Sequence, residues 1–441
     1  MKTNTKTRMP ALFTHEGARA KRITPEQQLR RSVMACMLWE SEFYESGEAI
    51  GKRIADLCDK VKFDAAAKIA IEAREKMKLR HVPLWIACAL AKGSPGHRLA
   101  DLIERIVQRP DELAELLALY WKDGRKPIAA QIKKGLALAF RKFEEYELAK
   151  YNRDNDIKLR DVLFLCHAKP TNRDQAKLWK RLVEGKLETP DTWETNLSSG
   201  EDKRKTFERL IREEKLGALA LLRNLRNMLQ TGVPERVIRG AIESMRTERV
   251  LPFRFIAAAK YAPQLEDALE AAMLRSLDGA DILAGKTALL VDCSGSMNQP
   301  LSAKSDMRRI DAACGLAILL REVCEEVSVI RFDTSPAVVP ARRGFALRDA
   351  IGQANGNTNT ETAKRLADKQ GYDRIIILTD EQSHQALSDP QGIGYVINVA
   401  SAQNGIGYGA WVHLDGWSEA IVSYLAEFES SLVDDDEDED E

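Results

Sequence analysis

The chain has 441 residues, 44% apolar and 30% charged, which excludes a wholly disordered protein and predicts two or three domains. No stretch of about 18 uninterrupted apolar residues occurs, which argues against a helical membrane span. The polar, basic start from Met1 to Pro10 lacks the apolar centre of a secretory signal. The net charge of −1 hides an asymmetry: residues 1–280 carry 53 Lys and Arg against 40 Asp and Glu, and the remainder carries 13 against 27. A basic first part suits a polyanionic partner such as RNA or DNA, against the plainer reading of an ordinary solvated surface. The seven cysteines form no Cys-x-x-Cys pair and sit mostly in apolar patterns, as expected of reduced, buried thiols in a cytoplasmic protein.

In chain order, helices dominate up to residue 280. Thr24-Pro25-Glu26-Gln27 is a helix start, and Leu29, Val33, Cys36 and Met37 follow as one apolar stripe. Further helices are predicted over 48–58, 64–78 and 84–91, and over 99–107 after the turn Gly93-Ser94-Pro95-Gly96. Another starts at Pro110, and one runs from Pro127 to Tyr146. Segments 159–166, 173–182, 207–229 (one or two helices around Gly217), 234–246 and 263–277 complete the set. No strand pattern is evident before residue 285. The spacing predicts stacked antiparallel helix pairs, an α-solenoid of HEAT-like, divergent units over residues 1–280. Basic clusters recur on these helices: Lys133-Lys134, Arg141-Lys142, the group Lys150, Arg153, Lys158 and Arg160, then Lys203-Arg204-Lys205, and Arg223 with Arg226. Each alone reads as a solvated helix face; their concentration in one half favours a polyanion surface.

After a junction at 278–286 the pattern changes. Strands are predicted at 287–292, 327–332, 336–339, 374–380 and 394–401, with helices at 309–325, 360–369 and 417–428. The alternation implies an α/β, doubly wound, mostly parallel sheet over 286–430. The run Asp434 to Glu441 reads as a disordered acidic tail. Ligands of such sheets sit beyond the carboxyl ends of the strands, where Asp292 and Asp380 both fall. Asp292, Ser294 and Ser296 offer a carboxylate and two hydroxyls at alternate positions, hard oxygen donors of the type Mg²⁺ prefers. The polar loop 354–360 can add the hydroxyl of Thr358. Two enzyme readings are weaker. Cys293 with His384 or His413 reads better as a buried thiol than as a nucleophile. A two-metal nuclease on Asp292, Asp380 and Glu381 is disfavoured because the serines dilute the charge two cations need. No P-loop is present.

Three segments resemble the TROVE domain shared by Ro ribonucleoproteins, telomerase-associated proteins and vault proteins. They are Phe13-Thr14-His15-Glu16-Gly17, the run from Leu159 through His167-Ala168-Lys169-Pro170, and Leu219 to Met228 with its Leu-Arg-Asn-Leu-Arg-Asn core. The resemblance implies a HEAT-like ring closed by a von Willebrand factor A domain, with a monomeric, noncatalytic protein that binds Y-like small noncoding RNA on the basic outside. Single-stranded 3′ ends of misfolded or structured RNA would occupy the central hole, and an exoribonuclease such as polynucleotide phosphorylase is an implied partner. By position, His167 and Lys150 match RNA-contacting residues of the family, and the next basic contact falls at Arg153 or Asp154. Lys133 and Arg141 extend the same candidate surface. Asp292, Ser294, Ser296, Thr358 and Asp380 resemble a metal-ion-dependent adhesion site, with Asn357 replacing the usual glycine before the threonine. The alternative from a different class is a Mg²⁺-dependent scaffold that docks an acidic protein partner.

Overall fold

The computed structural model describes residues 12–13, 19–20, 24–35 and 47–429, apart from 76, 78, 94–96, 199, 248–249, 251–252, 279–281, 302–306, 384, 401–408, 417–420, 423–424 and 427. Among the described residues the first part is helical: α1 (Pro25–Ala35), α2 (Gly47–Cys58), α3 (Phe63–Glu75), α4 (His81–Leu90), α5 (Arg98–Ile106), α6 (Pro110–Tyr120), α7 (Ala130–Phe140) and α8 (Glu145–Tyr151). There follow α9 (Leu159–Leu165), α10 (Arg173–Glu184), α11 (Trp193–Ser198), α12 (Lys203–Arg212), α13 (Ala218–Gln230), α14 (Glu235–Ser244), α15 (Phe253–Tyr261) and α16 (Glu266–Arg275). Helices two apart in sequence lie side by side, α1 on α3, α3 on α5 and α5 on α7 in one layer, and α2 on α4 and α4 on α6 in the other. This is the layering of a helical stack, in which each pair buries its apolar face on the next. Helices α5 and α7 approach closely at Gly135, where an added Cβ would lie 2.7 Å from Ile103 Cβ and 2.9 Å from the Ala100 carbonyl. Buried ionic groups fix the α3–α6 contact: Arg74 donates to Glu112 at 2.6 Å and to the Ile106 carbonyl at 2.9 Å.

Two differences from the sequence reading have local causes. The helix expected over 127–146 divides into α7 and α8, because the backbone of Glu144 turns extended and its N–H donates to Glu147 at 3.2 Å, starting a new helix. A strand pair, β1 (Leu12–Phe13) with β2 (Arg19–Ala20), precedes residue 285; two residues each are too few to show a period.

The second part is a six-stranded mixed sheet, ordered β5-β4-β3-β6-β7-β8. Its strands are β3 (Leu283–Asp292), β4 (Cys324–Phe332), β5 (Pro336–Val338), β6 (Arg374–Thr379), β7 (Ile393–Asn398) and β8 (Trp411–Asp415). All neighbours are parallel except the edge strand β5. Helices α17 (Arg309–Val323), α18 (Gly344–Ile351) and α19 (Thr360–Gln370) connect them. Leu289 and Val291 of β3 share a core with α17, whereas Ala288 and Leu290 face α19, so the sheet is covered on both sides as its near-continuous apolar strands require. Strand β8 and helix α18 had no counterpart in the sequence reading. The expected helix at 417–428 falls largely outside the described residues, as does the tail 434–441.

The core does not divide where the composition changes. One cluster runs from Phe207 of α12 through α13–α16 into Leu289, α17 and Leu414, and a separate one fills α1–α10. Ion pairs stitch the same boundary, Lys260 to Asp311 at 2.6 Å and Arg348 to Glu266 at 2.7 Å. At the opposite end α1 packs on β8, and Arg31 reaches Glu381 at 3.4 Å with both side chains buried.

Candidate nucleic-acid surface and candidate metal centre

Helix α9 organises the first site. Its start is fixed by the Lys158 N–H donating to the Asp161 carboxylate at 2.9 Å. Leu159, Val162 and Leu163 are buried against α6 and α7. Arg160, Phe164 and His167, at i, i+4 and i+7, are exposed. The helix ends in a Schellman turn: the His167 N–H donates to the Phe164 carbonyl at 3.1 Å and the Ala168 N–H to the Leu163 carbonyl at 3.2 Å. His167 takes the left-handed position of that turn, φ +51°, which usually belongs to glycine.

Cations gather at this end. Arg141 donates to the Lys169 carbonyl at 3.1 Å, and Gln175 to the Arg141 carbonyl at 3.0 Å. Lys133 is close enough to Cys166 to oppose the burial that pushes that thiol up to about 12. At the other end of α9, Lys150 stands 5.6 Å from the Tyr146 ring and 5.9 Å from the Tyr151 ring, which also lies under Arg109. Arg153 is exposed just beyond α8. Asp154 pairs with Lys158 at 2.5 Å, which lowers its carboxyl below the ordinary value. The structure thus brings Lys133, Arg141 and His167 to one end of α9 and sets Lys150 and Arg153 toward the other. Other basic clusters are engaged structurally: Lys142 donates to the Glu104 and Val107 carbonyls at the end of α5, and Arg204 pairs with Glu208 at 2.8 Å. Exposed Phe164 and Tyr146 were missed from sequence. Their helical phase, opposite the Leu159 and Val162 stripe in the case of Phe164, was the available signal.

The second site lies at the carboxyl ends of β3 and β6. Asp292 is fully buried; its Oδ1 accepts the Ser294 N–H at 2.8 Å and its Oδ2 the Thr379 hydroxyl at 2.6 Å. Burial, with Asp380 beside it, pushes the Asp292 carboxyl up to about 7. Ser294 Oγ and Ser296 Oγ are 3.2 Å apart. The loop after α18 is laid onto them: the Gly295 N–H donates to the Gly356 carbonyl at 2.9 Å and the Asn355 N–H to the Cys293 carbonyl at 2.6 Å. Half-buried Thr358 lies in this loop, which is tied to the β4–β5 turn by Asn357 and Asn359. The three predicted segments therefore meet.

The donor set fits a divalent cation in kind. Adjacent ligands of an octahedral Mg²⁺ at about 2.1 Å are about 3 Å apart, close to the serine spacing. One residue was not foreseen: Arg309, the first of α17, donates to Asp380 Oδ2 at 2.9 Å with both side chains buried. A cation at a helix N-terminus opposes the helix dipole, which was the one clue in sequence. Glu381, φ +59°, turns away to accept from Arg31 and from Asn398 Nδ2 at 3.1 Å, with His413 Nε2 also 3.1 Å away. That engagement removes it from a nuclease-like acidic cluster. Cys293 is a buried thiol pushed up to about 12 by burial, unsuited to nucleophilic attack.

Fold and surface together define a class: a mostly helical stack fused to a mixed, mainly parallel sheet, with a cationic and aromatic face of the kind that nucleic-acid binders carry. Comparison with known proteins sharpens this. The TROVE domain model matches residues 176–288, from α10 into β3 and including the Leu219–Met228 segment. Telomerase protein component 1 of Mus musculus is 38% identical over 87 residues, 18% of this chain and 3% of that protein. The Rattus norvegicus protein of the same name is 36% identical over 87 residues. The chain therefore spans only a small fraction of these curated relatives. The crystal structure of the Deinococcus radiodurans RO (RSR) protein superposes with a TM-score of 0.59 at 15% identity, covering 90% of this chain and 97% of that one. Residues 176–288 of the chain are thus similar to the TROVE domain, and the fold as a whole is similar to that of the RO protein.

Proposed function

We propose that this chain is a noncatalytic RNA-binding protein that captures small structured RNA of the Y type on the α7–α9 surface. The observation that carries the reading is the convergence of Lys133, Arg141 and a backbone-strained, exposed His167 at one helix end. Lysine and arginine contact phosphates and set affinity and its salt dependence, while an imidazole stacks on a base or donates to one. The packing of α1 on β8 supports a helical array closed into a ring by a von Willebrand A-like domain. Single-stranded ends of misfolded RNA would enter its opening, and an exoribonuclease of the polynucleotide phosphorylase type would be the protein served. In that domain Ser294, Ser296, Thr358 and Asp380 would hold Mg²⁺, with Asp292 orienting the hydroxyls. The cation would supply an electrophilic centre that an acidic partner group can complete.

Fluorescence anisotropy with a labelled stem-loop RNA, titrated across salt, tests the reading. Binding should weaken steeply with salt, and Lys133→Ala combined with Arg141→Ala should flatten the log–log slope by about 1.4–1.8, since each lost phosphate contact removes roughly 0.7–0.9. Absence of binding at low salt refutes it.

A further inference from the structure

The exposed face of α9 carries a residue that phosphate binding does not need. Phe164 is 60% exposed, although the helix already buries Leu159, Val162 and Leu163 to hold itself in place. A phenylalanine left this open gains nothing from the fold. It stands one turn after Arg160 and one turn before His167, so a cation and an imidazole flank the ring along one helix face. The carboxylates nearby are occupied: Asp154 pairs with Lys158, and Asp161 accepts from the Lys158 N–H and lies 3.8 Å from Arg160. Arg141 and Lys133 extend the positive charge past the end of the helix. An apolar π-face framed by cations complements a nucleobase framed by its phosphates. A base paired within a duplex keeps its π-face stacked on its neighbours and cannot offer it.

We propose that Phe164 is a stacking platform for an unpaired nucleobase, so that this face selects looped or bulged RNA over continuous duplex. The inference rests on the RNA-binding reading above and assigns its substrate class. Arg160 then contacts a phosphate beside the stacked base, and the Schellman turn sets His167 one turn from the ring, where its imidazole donates to a neighbouring base.

The test uses the full chain with two labelled RNAs of equal length, a stem with an unpaired loop and an uninterrupted duplex. Phe164→Ala should weaken loop binding about tenfold, within the range of base–aromatic stacking. It should leave duplex binding and the salt slope unchanged, because no phosphate contact is lost. Phe164→Trp should restore loop binding, whereas Phe164→Leu should not, and circular dichroism of each variant should match the parent. Loop affinity of Phe164→Ala within twofold of the parent overturns the proposal, as does an equal loss on both RNAs. Full retention by Phe164→Leu also overturns it and assigns the ring to an apolar protein contact. If the parent binds neither RNA, the underlying RNA-binding reading fails, a result distinct from the others.

Discussion

Replacing Arg309 by Met examines the charge balance of the candidate metal centre. The guanidinium lies 2.9 Å from Asp380 Oδ2, and the exposure of the two side chains is 3% and 0%. Removing one partner of a buried ion pair costs roughly 3–5 kcal/mol, because the other charge stays desolvated. The chain has several cores and need not unfold in two states, so native-state hydrogen exchange of the β6 and α17 amides is the suitable assay. In EDTA, protection of those amides should fall by about 3–5 kcal/mol. Millimolar Mg²⁺ should restore part of it, by about 2.7 kcal/mol when the ion is at 100 times its Kd. The parent should gain less from Mg²⁺, because Arg309 already neutralises Asp380. A loss below about 1 kcal/mol in EDTA, the level of an exposed pair, would refute the claim that Arg309 carries the compensating charge.

Three further outcomes follow from single contacts. Asp292 keeps its proton to about 7 in the folded chain and loses it near 3.8 when unfolded. The folded state therefore binds more protons between those values, and without divalent cation β3 should lose stability as pH rises through that window; Asp292→Asn should abolish the dependence in a pH series of hydrogen exchange. His167→Gly should stabilise the α9 end by about 1 kcal/mol, by relieving the left-handed backbone, while lowering RNA affinity; calorimetry and anisotropy measured together check the opposite signs. Gly135→Ala should destabilise the helical stack by about 1–3 kcal/mol, because the new methyl meets Ile103 Cβ and a backbone carbonyl that cannot step aside, as thermal unfolding would report.

What the sequence determined by itself was local. Helix stripes such as Leu29 with Val33 have a 3.6-residue period, and the apolar runs of β3 and β6 end in carboxylates, so element type and the Asp292–Ser296 loop were legible from neighbouring residues alone. Asp380 was legible beside that loop too, because parallel strands put their carboxyl ends on one edge, whereas the choice of Thr358 rested on the resemblance to a metal-ion-dependent adhesion site. Strand β8 was not legible, since five residues without clear alternation do not distinguish strand from loop. Tertiary structure alone decided which charges are spent. Lys142 and Lys133 read alike in sequence, yet one is consumed by carbonyls at the end of α5 and the other stands by Cys166 near the α9 surface. It also set Arg309 on Asp380 across 71 residues of chain, and left Phe164 facing water between Arg160 and His167. Such pairings depend on how helices and strands pack, a long-range property that no local period encodes.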